Sequence, residues 1–311
     1  MGYLGDTILA NLTATPFTEI GTRPYRLRLL NGSNARIYRL AFVHGGRALP
    51  YDVIGTDGGL LDKPYRVTEA FLAPGERLDV VLDAGGLAVG DEVYLRSLAF
   101  PSMGGMMGGM MGRMGGGMMG GGGMMGGVGM MGGARMADGQ AFDILKLAVT
   151  QRVQSSARLP ERLSEVRPID VRRAAARTVD LEMAHMRWLI NGESYREDAH
   201  PIQVRRDTVE IWEVRNARHS MPHPMHMHGF LFQVLSRHGS PAQVRALGTH
   251  GAGRAAADLG WKDKVLVWPG ETVRLAVDFS HDLPGDQSYV YHCHNLEHED
   301  NDMMVNLLVR A

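Results

Sequence analysis

The stretch SYVYHCHNLEHEDNDMMVNLLVRA, residues 288–311, combines two β-strand patterns with a short connection that is rich in metal-binding side chains. Its ends, SYVYHCH and MMVNLLVRA, are apolar segments of strand length, and between them stands Cys293, the only cysteine among 311 residues. Successive side chains of a strand point to opposite faces, so Cys293 should face away from His292 and His294. The stretch therefore predicts two strands that carry a thiol on one face and a pair of imidazoles on the other.

The same kind of strand pattern fills most of the chain. Short segments with period-two alternation are separated by turn clusters such as TDGG (residues 56–59) and APGE (residues 73–76). No segment keeps a helical apolar period for long. Many short strands at this spacing predict an all-β protein with two Greek-key sandwiches, at residues 1–152 and 169–311. The polar residues 153–168, which include two prolines, are predicted to link the sandwiches.

Composition argues against two classes of function. The chain has 33 basic and 34 acidic residues and a net charge of −1, without a basic patch, so no nucleic-acid partner is expected. No apolar window of about 18 residues occurs, so no membrane span is expected. Residues 1–17 lack the basic start, apolar run and cleavage site of a signal peptide. We therefore expect either a cytoplasmic protein or a chain that begins inside a longer precursor.

Residues 103–136, within the first predicted sandwich, consist almost only of methionine and glycine. They hold 13 of the 21 methionines. Glycine at this density loses too much backbone entropy on folding to form a packed structure, so a disordered, flexible insertion is predicted. Because strand patterns stand on both sides, the segment is predicted to be an insertion between two strands of one domain.

The potential metal ligands fall into groups that are far apart in the sequence. One thiolate, two imidazoles and a weak axial thioether form the ligand set of a blue copper centre. That set is present as His223, Cys293, His298 and Met303. The opposite face of the strands offers further imidazoles for copper, from His226, His228, His292 and His294. The two strands would thus join two metal centres back to back.

A structural role for Cys293 and a zinc site are the two alternatives to copper at this cluster. A lone buried cysteine is more often a small hydrophobic residue than a ligand. Structural zinc sites, however, usually contain several thiolates, and this chain has only one. The clustering of histidines around a single thiol and a methionine favours copper.

The segments HPMHMHGF (residues 223–230) and YHCHNLEHEDNDMM (residues 291–304) resemble the two C-terminal copper motifs of multicopper oxidases, the family of laccases and bacterial cuprous oxidases. The resemblance extends upstream in order. It includes GDTILANLTATPF, RLRLLNGSNARIYRL, VIGTDGGLL, LAPGERLDVVLD and GWKDKVLVWPGETVRL. It implies that the two sandwiches are cupredoxin-like, the second and third domains of a three-domain enzyme.

The resemblance also implies a role for each ligand residue. The type 1 copper would be bound by His223, Cys293, His298 and Met303. The type 2 copper would be bound by His226, and the type 3 coppers by His228, His292 and His294. Glu299 resembles a family carboxylate that relays protons to dioxygen, although a solvated charge in an acidic loop would account for it equally well.

The sequence departs from the family pattern in its histidine pairs. Family members carry four His-X-His motifs, whereas only two are present here. The other histidines are scattered singly: His44, His185, His200, His219, His238, His250 and His281. The type 1 site is therefore expected to be complete and the trinuclear oxygen site only partly supplied, with a missing N-terminal domain or a partner providing four more histidines.

Two classes of function remain open from the sequence. The first is an oxidase that couples one-electron oxidation at type 1 copper to the reduction of dioxygen to water. The second is a copper-binding or electron-transfer protein with a single type 1 copper. The resemblance implies a periplasmic or secreted full-length parent.

The electron donor is expected to be Cu(I) or a small phenol. Thioethers favour Cu(I), so the segment 103–136 could gather cuprous ion near the type 1 site. Alternatively, the segment could cover the edge of the type 1 site and block bulky donors, or it could be low-complexity sequence without a role. A cuprous site closer to the type 1 copper could be formed by Met183, Met186 and Met221. His219 stands where similar enzymes have a carboxylate, which weakens that assignment.

Overall fold

The computed structural model describes residues 2–102, 136–184 and 187–311. The segment expected to be flexible lies outside these ranges except for Met136, so that expectation is not addressed by the structure. Within the described residues, strands dominate and the helices are single turns. The all-β fold class predicted from the alternation is confirmed.

The first half of the chain consists of strands joined by short turns. The strands run in the order β1 Leu9–Ala10, β2 Thr13–Ala14, β3 Phe17–Gly21, β4 Pro24–Leu30, β5 Tyr38–His44, β6 Arg47–Leu49, β7 Tyr51–Thr56, β8 Gly59–Val67, β9 Ala70–Leu72, β10 Arg77–Asp83, β11 Glu92–Ser97 and β12 Phe142–Gln151.

Two sheets of this half face each other across an apolar core. The four-stranded sheet has the order β4-β10-β7-β8, and the larger sheet has the order β3-β12-β11-β5-β6, with β9 paired to β5. The core between them includes Phe42, Val53 and Val80, each completely buried. Alternation positions these side chains, as in β10, where apolar residues turn inward and Asp79 turns outward to an ion pair with Arg26.

The strands on either side of the methionine- and glycine-rich segment pair with each other. Strand β11 is antiparallel to β12, with Val93 opposite Leu147 and Ser97 opposite Phe142. The segment therefore connects two neighbouring strands of one sheet, as the sequence predicted.

The second half repeats the architecture. Its strands are β13 Ala175–Ala184, β14 Arg187–Ile190, β15 Ile202–Arg205, β16 Val209–Asn216, β17 His223–Met227, β18 Phe232–His238, β19 Lys264–Val267, β20 Thr272–Asp278, β21 Gln287–Cys293 and β22 Met304–Arg310. Its short helices are α1 Ala242–Arg245, a 3-10 turn at Ala256–Asp258, and α2 Leu296–Glu299.

Two five-stranded sheets enclose the second core. Their orders are β14-β13-β16-β20-β18 and β15-β22-β21-β17-β19. The pairs β13–β16 and β15–β22 are parallel, so each joins strands that are not consecutive in the chain and ties the start of this half to its later strands. Trp212, Tyr291 and Cys293 lie in this core, and all three are fully buried.

The residues between the two sheet pairs contain no helix or strand, and they contact both halves. The Ser164 hydroxyl donates to the carbonyl oxygens of Leu60 and Leu61 in the first half. The Gln233 side chain, in the second half, accepts from Ile169 N–H and donates to the Arg167 carbonyl. Residues 153–168 remain our predicted linker, and these contacts hold it against the protein surface.

The two halves meet through an aromatic cluster and a buried ion cluster. Phe71, Phe100 and Trp268 pack edge to face, with ring centroids 5.2 to 6.1 Å apart. The Lys262 ammonium is 2.9 Å from Asp57 and 3.3 Å from Glu76, and all three groups are buried. A buried ion pair positions its partners strongly, because separation would leave a desolvated charge. These contacts fix the first half against the strands that carry the histidines.

No helix among the described residues is long and apolar enough to cross a membrane.

Arg237 in β18 is the centre of a second buried ion cluster. Its guanidinium contacts Asp258 at 2.7 Å and Glu271 at 3.0 Å, and all three side chains are almost fully buried. Arg237→Met should lower the free energy of unfolding by about 3–5 kcal/mol, because two carboxylates would be left buried without a counter-charge.

Urea denaturation of the purified chain measures this change. Arg215→Met is the matched control, since the Arg215–Glu213 pair is exposed and should contribute at most about 1 kcal/mol. Equal losses in the two variants would contradict the prediction.

Candidate metal centre

Three donor side chains of the predicted type 1 site come from neighbouring elements of the second sandwich. His223 begins strand β17, Cys293 ends strand β21, and His298 lies in α2, in the connection that follows. Strands β17 and β21 are antiparallel neighbours, with Met225 opposite Cys293. The strand pairing thus brings together residues that are 70 positions apart in sequence.

The donor atoms of these three residues surround one point. Cys293 Sγ is 3.5 Å from His223 Nδ1 and 3.5 Å from His298 Nδ1, and the two nitrogens are 3.2 Å apart. Metal bonds to imidazole nitrogen and thiolate sulfur are about 2.0–2.3 Å long, so one ion placed among the three atoms could reach all of them. The spacing fits a metal centre.

The fourth predicted ligand, Met303, lies at the end of the same connection. It is fully buried in the core of the second sandwich. Its backbone N–H donates to the His298 carbonyl at 2.9 Å, and its carbonyl accepts from Cys293 N–H at 3.0 Å. These two hydrogen bonds hold Met303 close to both His298 and Cys293.

His223 is oriented by a buried hydroxyl. The Ser220 Oγ lies 2.9 Å from His223 Nε2, and both residues are buried. If Nε2–H donates to that oxygen, Nδ1 keeps its lone pair and points to the donor group. The Asn216 side-chain amide supports the turn by donating to the carbonyl oxygens of Met221 and Val267.

Burial controls the protonation of these donor side chains. It lowers the pKa of His223 well below its ordinary value and that of His298 to about 4. Burial also raises the pKa of the Cys293 thiol. The imidazoles are therefore neutral and able to bind a cation at neutral pH, whereas the thiol would lose its proton when a metal ion compensates the charge.

A second group of imidazoles lies on the opposite face of the same two strands. His226 stands opposite His292 in the strand register, and the ligand atoms of His226, His228 and His292 lie within 4.8 Å of one another. His228 Nε2 and His292 Nε2 are 3.0 Å apart. Burial lowers the pKa of His226 to about 4 and that of His292 to about 3, so both are neutral near pH 7.

Backbone carbonyl groups orient two members of this second group. His226 Nδ1 lies 2.8 Å from the Asp263 carbonyl oxygen, and His292 Nδ1 lies 3.1 Å from the Cys293 carbonyl oxygen. Donation from each Nδ1–H leaves the Nε2 lone pairs for a cation. The donor set thus fits a metal ion in its chemistry as well as its spacing.

His294 stands at the margin of the second group. Its ring centroid is 5.7 Å from that of His226 and 5.8 Å from that of His292. Gly75, in the first half, packs against His294. A Cβ at position 75 would lie 2.9 Å from His294 Cε1 and 2.5 Å from Lys264 Cε. The first sandwich therefore forms a wall beside the imidazoles.

Glu299 is close to the second group. Its Oε2 is 3.4 Å from His292 Nδ1, and burial followed by the charge of Asp300 raises its pKa. The carboxylate is partly exposed, so it lies between the imidazole group and solvent.

The residues predicted for a cuprous site are less well assembled. Met183 is exposed at the end of β13, and Met221 is half-buried in the turn before β17. Met186 lies outside the described residues, as does His185. The remaining single histidines do not join either group; for example, His200 contacts Ser288 and His44 contacts the Glu92 carbonyl.

Two residues near the first group were not identified from the sequence. One is Ser220, and the other is Trp188, whose ring centroid lies 4.5 Å from that of His298 and 5.1 Å from that of His223. Neither residue belongs to a ligand motif. The position of Ser220, three residues before His223, was the only signal that could have found either of them.

Known proteins resemble this chain in sequence and in fold. Residues 168–311 match the sequence profile of the family described as multicopper oxidase. The laccase of Bacillus subtilis (strain 168) is 29% identical over 318 residues, covering 97% of this chain and 54% of that enzyme. Bilirubin oxidase of Albifimbria verrucaria is 28% identical, covering 97% of this chain and 47% of that enzyme.

The crystal structure of McoA multicopper oxidase from the hyperthermophile Aquifex aeolicus superimposes with a TM-score of 0.83 at 38% identity. The match covers 100% of this chain and 60% of that one. The chain spans about half the length of the curated relatives it matches.

Ser220 provides a test of the first donor group. Ser220→Ala should weaken the affinity of the purified chain for Co(II) about tenfold or more, because His223 would lose the hydroxyl that orients its ring. Competition with a chromophoric chelator measures the affinity. Ser236→Ala is the matched control, since Ser236 is also buried but its hydroxyl has no hydrogen-bond partner among the described residues. A cobalt affinity unchanged by Ser220→Ala would contradict the assignment.

Proposed function

We propose that this chain belongs to the multicopper oxidase family and forms the electron-accepting part, and half of the oxygen-reducing part, of an oxidase. The oxidase would take single electrons from Cu(I) or small phenols and reduce dioxygen to water. The relatives named laccase, bilirubin oxidase and multicopper oxidase support the reaction class. The likeness of the whole chain to such enzymes also supports a periplasmic or secreted parent.

The observation that carries this proposal is the back-to-back arrangement of the two donor groups. Cys293 Sγ belongs to the first group, while His292, the adjacent residue, belongs to the second. The two groups are thus joined through consecutive residues of one strand. An electron accepted at the first group would have a short covalent route to the second.

Each residue has a defined task in this proposal. His223 and His298 would hold type 1 copper through Nδ1, Cys293 through its thiolate, and Met303 as a weak axial ligand. Copper bound there supplies one-electron redox chemistry. His226 would hold type 2 copper, and His228, His292 and His294 would hold type 3 copper.

Glu299 would move protons at the second group. Its carboxylate is 3.4 Å from His292 Nδ1, and its raised pKa favours the protonated form more than in a free carboxyl. Because it is partly exposed, it can exchange protons with solvent. This position supports the relay role over that of a solvated surface charge.

The second group requires imidazoles from outside residues 1–311. It contains four of the eight histidines of the family pattern, and the other described histidines lie apart from it. We propose that another domain or a partner polypeptide supplies them. The exposed ring of His228 and the half-buried ring of His294 would face that polypeptide.

The type 1 assignment predicts the colour of the copper-loaded chain. Wild type should show the intense visible charge-transfer band of a copper–thiolate bond, and Cys293→Ser should abolish it, because the alcohol cannot replace the sulfur donor. Visible absorption during copper titration measures the band.

Met303→Leu is the control for this experiment. It should keep the band and raise the reduction potential, since it removes a weak donor that favours Cu(II). A colourless copper-loaded wild type with an accessible thiol would refute the type 1 assignment.

An electron-transfer protein with a single blue copper is the second candidate function. The incomplete histidine set of the second group favours it for residues 1–311 acting alone. We then expect one tightly bound copper per chain and little oxygen consumption, measured by metal analysis and with an oxygen electrode. Four tightly bound coppers and sustained turnover by the isolated chain would contradict the need for outside histidines.

A further inference from the structure

We propose that Trp188 is the residue on which planar aromatic donors stack before they pass an electron to the type 1 site. The inference rests on the proposed function, because it assumes a redox centre at His223, Cys293 and His298. It goes further by assigning a donor-specificity residue and by favouring aromatic donors over cuprous ion.

The type 1 imidazoles offer almost no surface to a donor. His223 is 0% exposed and His298 is 2% exposed. A molecule that arrives from solvent must therefore stop at a side chain that covers these rings. Electron transfer weakens steeply with distance, so the covering side chain determines which donors come close enough.

Trp188 is such a covering side chain. Its indole is tilted by 32° over the His298 ring at 4.5 Å and meets the His223 ring at 72° and 5.1 Å. It is only partly buried. The indole thus contacts both imidazole ligands and also reaches the surface.

The neighbourhood of Trp188 is suited to aromatic rings. Met183 stands directly opposite Trp188 in the pairing of β13 and β14, so both side chains lie on the same face, and Met183 is 50% exposed. Aromatic rings stack on indole, and thioethers contact ring edges favourably. Among the described residues, Met183 is the thioether paired with Trp188, and one thioether beside an indole suits an aromatic ring better than Cu(I), which prefers several soft ligands.

The electron transfer balances with the proposed redox centre. A phenol stacked on Trp188 would give one electron to the one-electron acceptor that copper held by His223, Cys293 and His298 would supply. Its hydroxyl proton passes to solvent, and the donor leaves as a phenoxyl radical. Trp188 is neither oxidised nor reduced overall.

Stopped-flow bleaching of the blue band tests the role of Trp188 in the copper-loaded chain. Hydroquinone is the aromatic donor, and ferrocyanide is the donor that cannot stack. Trp188→Leu should slow bleaching by hydroquinone about fivefold, in line with the loss of one aromatic contact, and should change bleaching by ferrocyanide less than about twofold. Trp188→Phe, which keeps a ring, should restore most of the hydroquinone rate.

Equal slowing for both donors would overturn the proposal by showing a merely structural role. Faster bleaching by hydroquinone in Trp188→Leu would overturn it as well, because the indole would then be a barrier. An absent blue band in wild type would instead refute the type 1 assignment, so the two failures are distinguishable.

A second measurement does not depend on copper. In the metal-free chain, hydroquinone should shift the indole N–H resonance of Trp188, assigned by its loss in Trp188→Phe, more than the other tryptophan resonances. A shift that saturates with hydroquinone supports the stacking site. An unchanged Trp188 resonance overturns it, whether or not the variants bind copper.

Discussion

Strand β21 carries His292 and Cys293 on opposite faces, and its pairing with β17 sets His226 opposite His292. A shift of one residue in this register would move every side chain of the strand to the other face. Cys293 would then leave the core, and the second imidazole group would lose His292. The fully buried Tyr291, packed on Trp212, resists such a shift because exposing it would cost several kcal/mol of apolar burial. The hydrophobic core thereby positions both donor groups.

Burial makes these groups suitable for a cation. Removing imidazoles from water disfavours their charged form, so His223, His292 and His298 have pKa values well below 7 and keep lone pairs at neutral pH. The buried Nε2 of His298 has no hydrogen-bond partner within the described residues. Cys293 Sγ and the Nδ1 atoms of His223 and His298 face one another, and too few hydrogens are available for all three to form hydrogen bonds. Unpaired polar atoms in a dry interior cost free energy. A bound metal ion offsets that cost, so folding and metal binding should support each other.

The first sandwich helps to position the donor groups, and none of its described residues belongs to either group. Lys262 is held between Asp57 and Glu76, which belong to the first half, and it is followed by Asp263, whose carbonyl orients His226. Gly75 approaches His294 so closely that any larger residue would collide with it. The contact between the halves therefore reaches the second imidazole group directly. A substitution at this interface should therefore displace the second imidazole group, although it breaks no hydrogen bond to an imidazole ring.

The sequence by itself determined the strands and the ligand types. Period-two alternation identifies strands such as β10 and β12, because one face of each sheet must be apolar, and the short spacing of Cys293, His298 and Met303 allows one connection to carry all three. What the sequence could not determine is which distant residues meet. Trp188 contacts His298 and His223 only because the paired strands β13 and β14 approach α2 and the start of β17, and no sequence pattern records this approach. Ser220 reaches His223 within a local turn, but only the folded turn shows that its hydroxyl meets the ring. The tertiary structure also decided the burial of the imidazoles and the position of Glu299 beside His292, since both depend on the packing of two sheets and not on the order of residues along either strand.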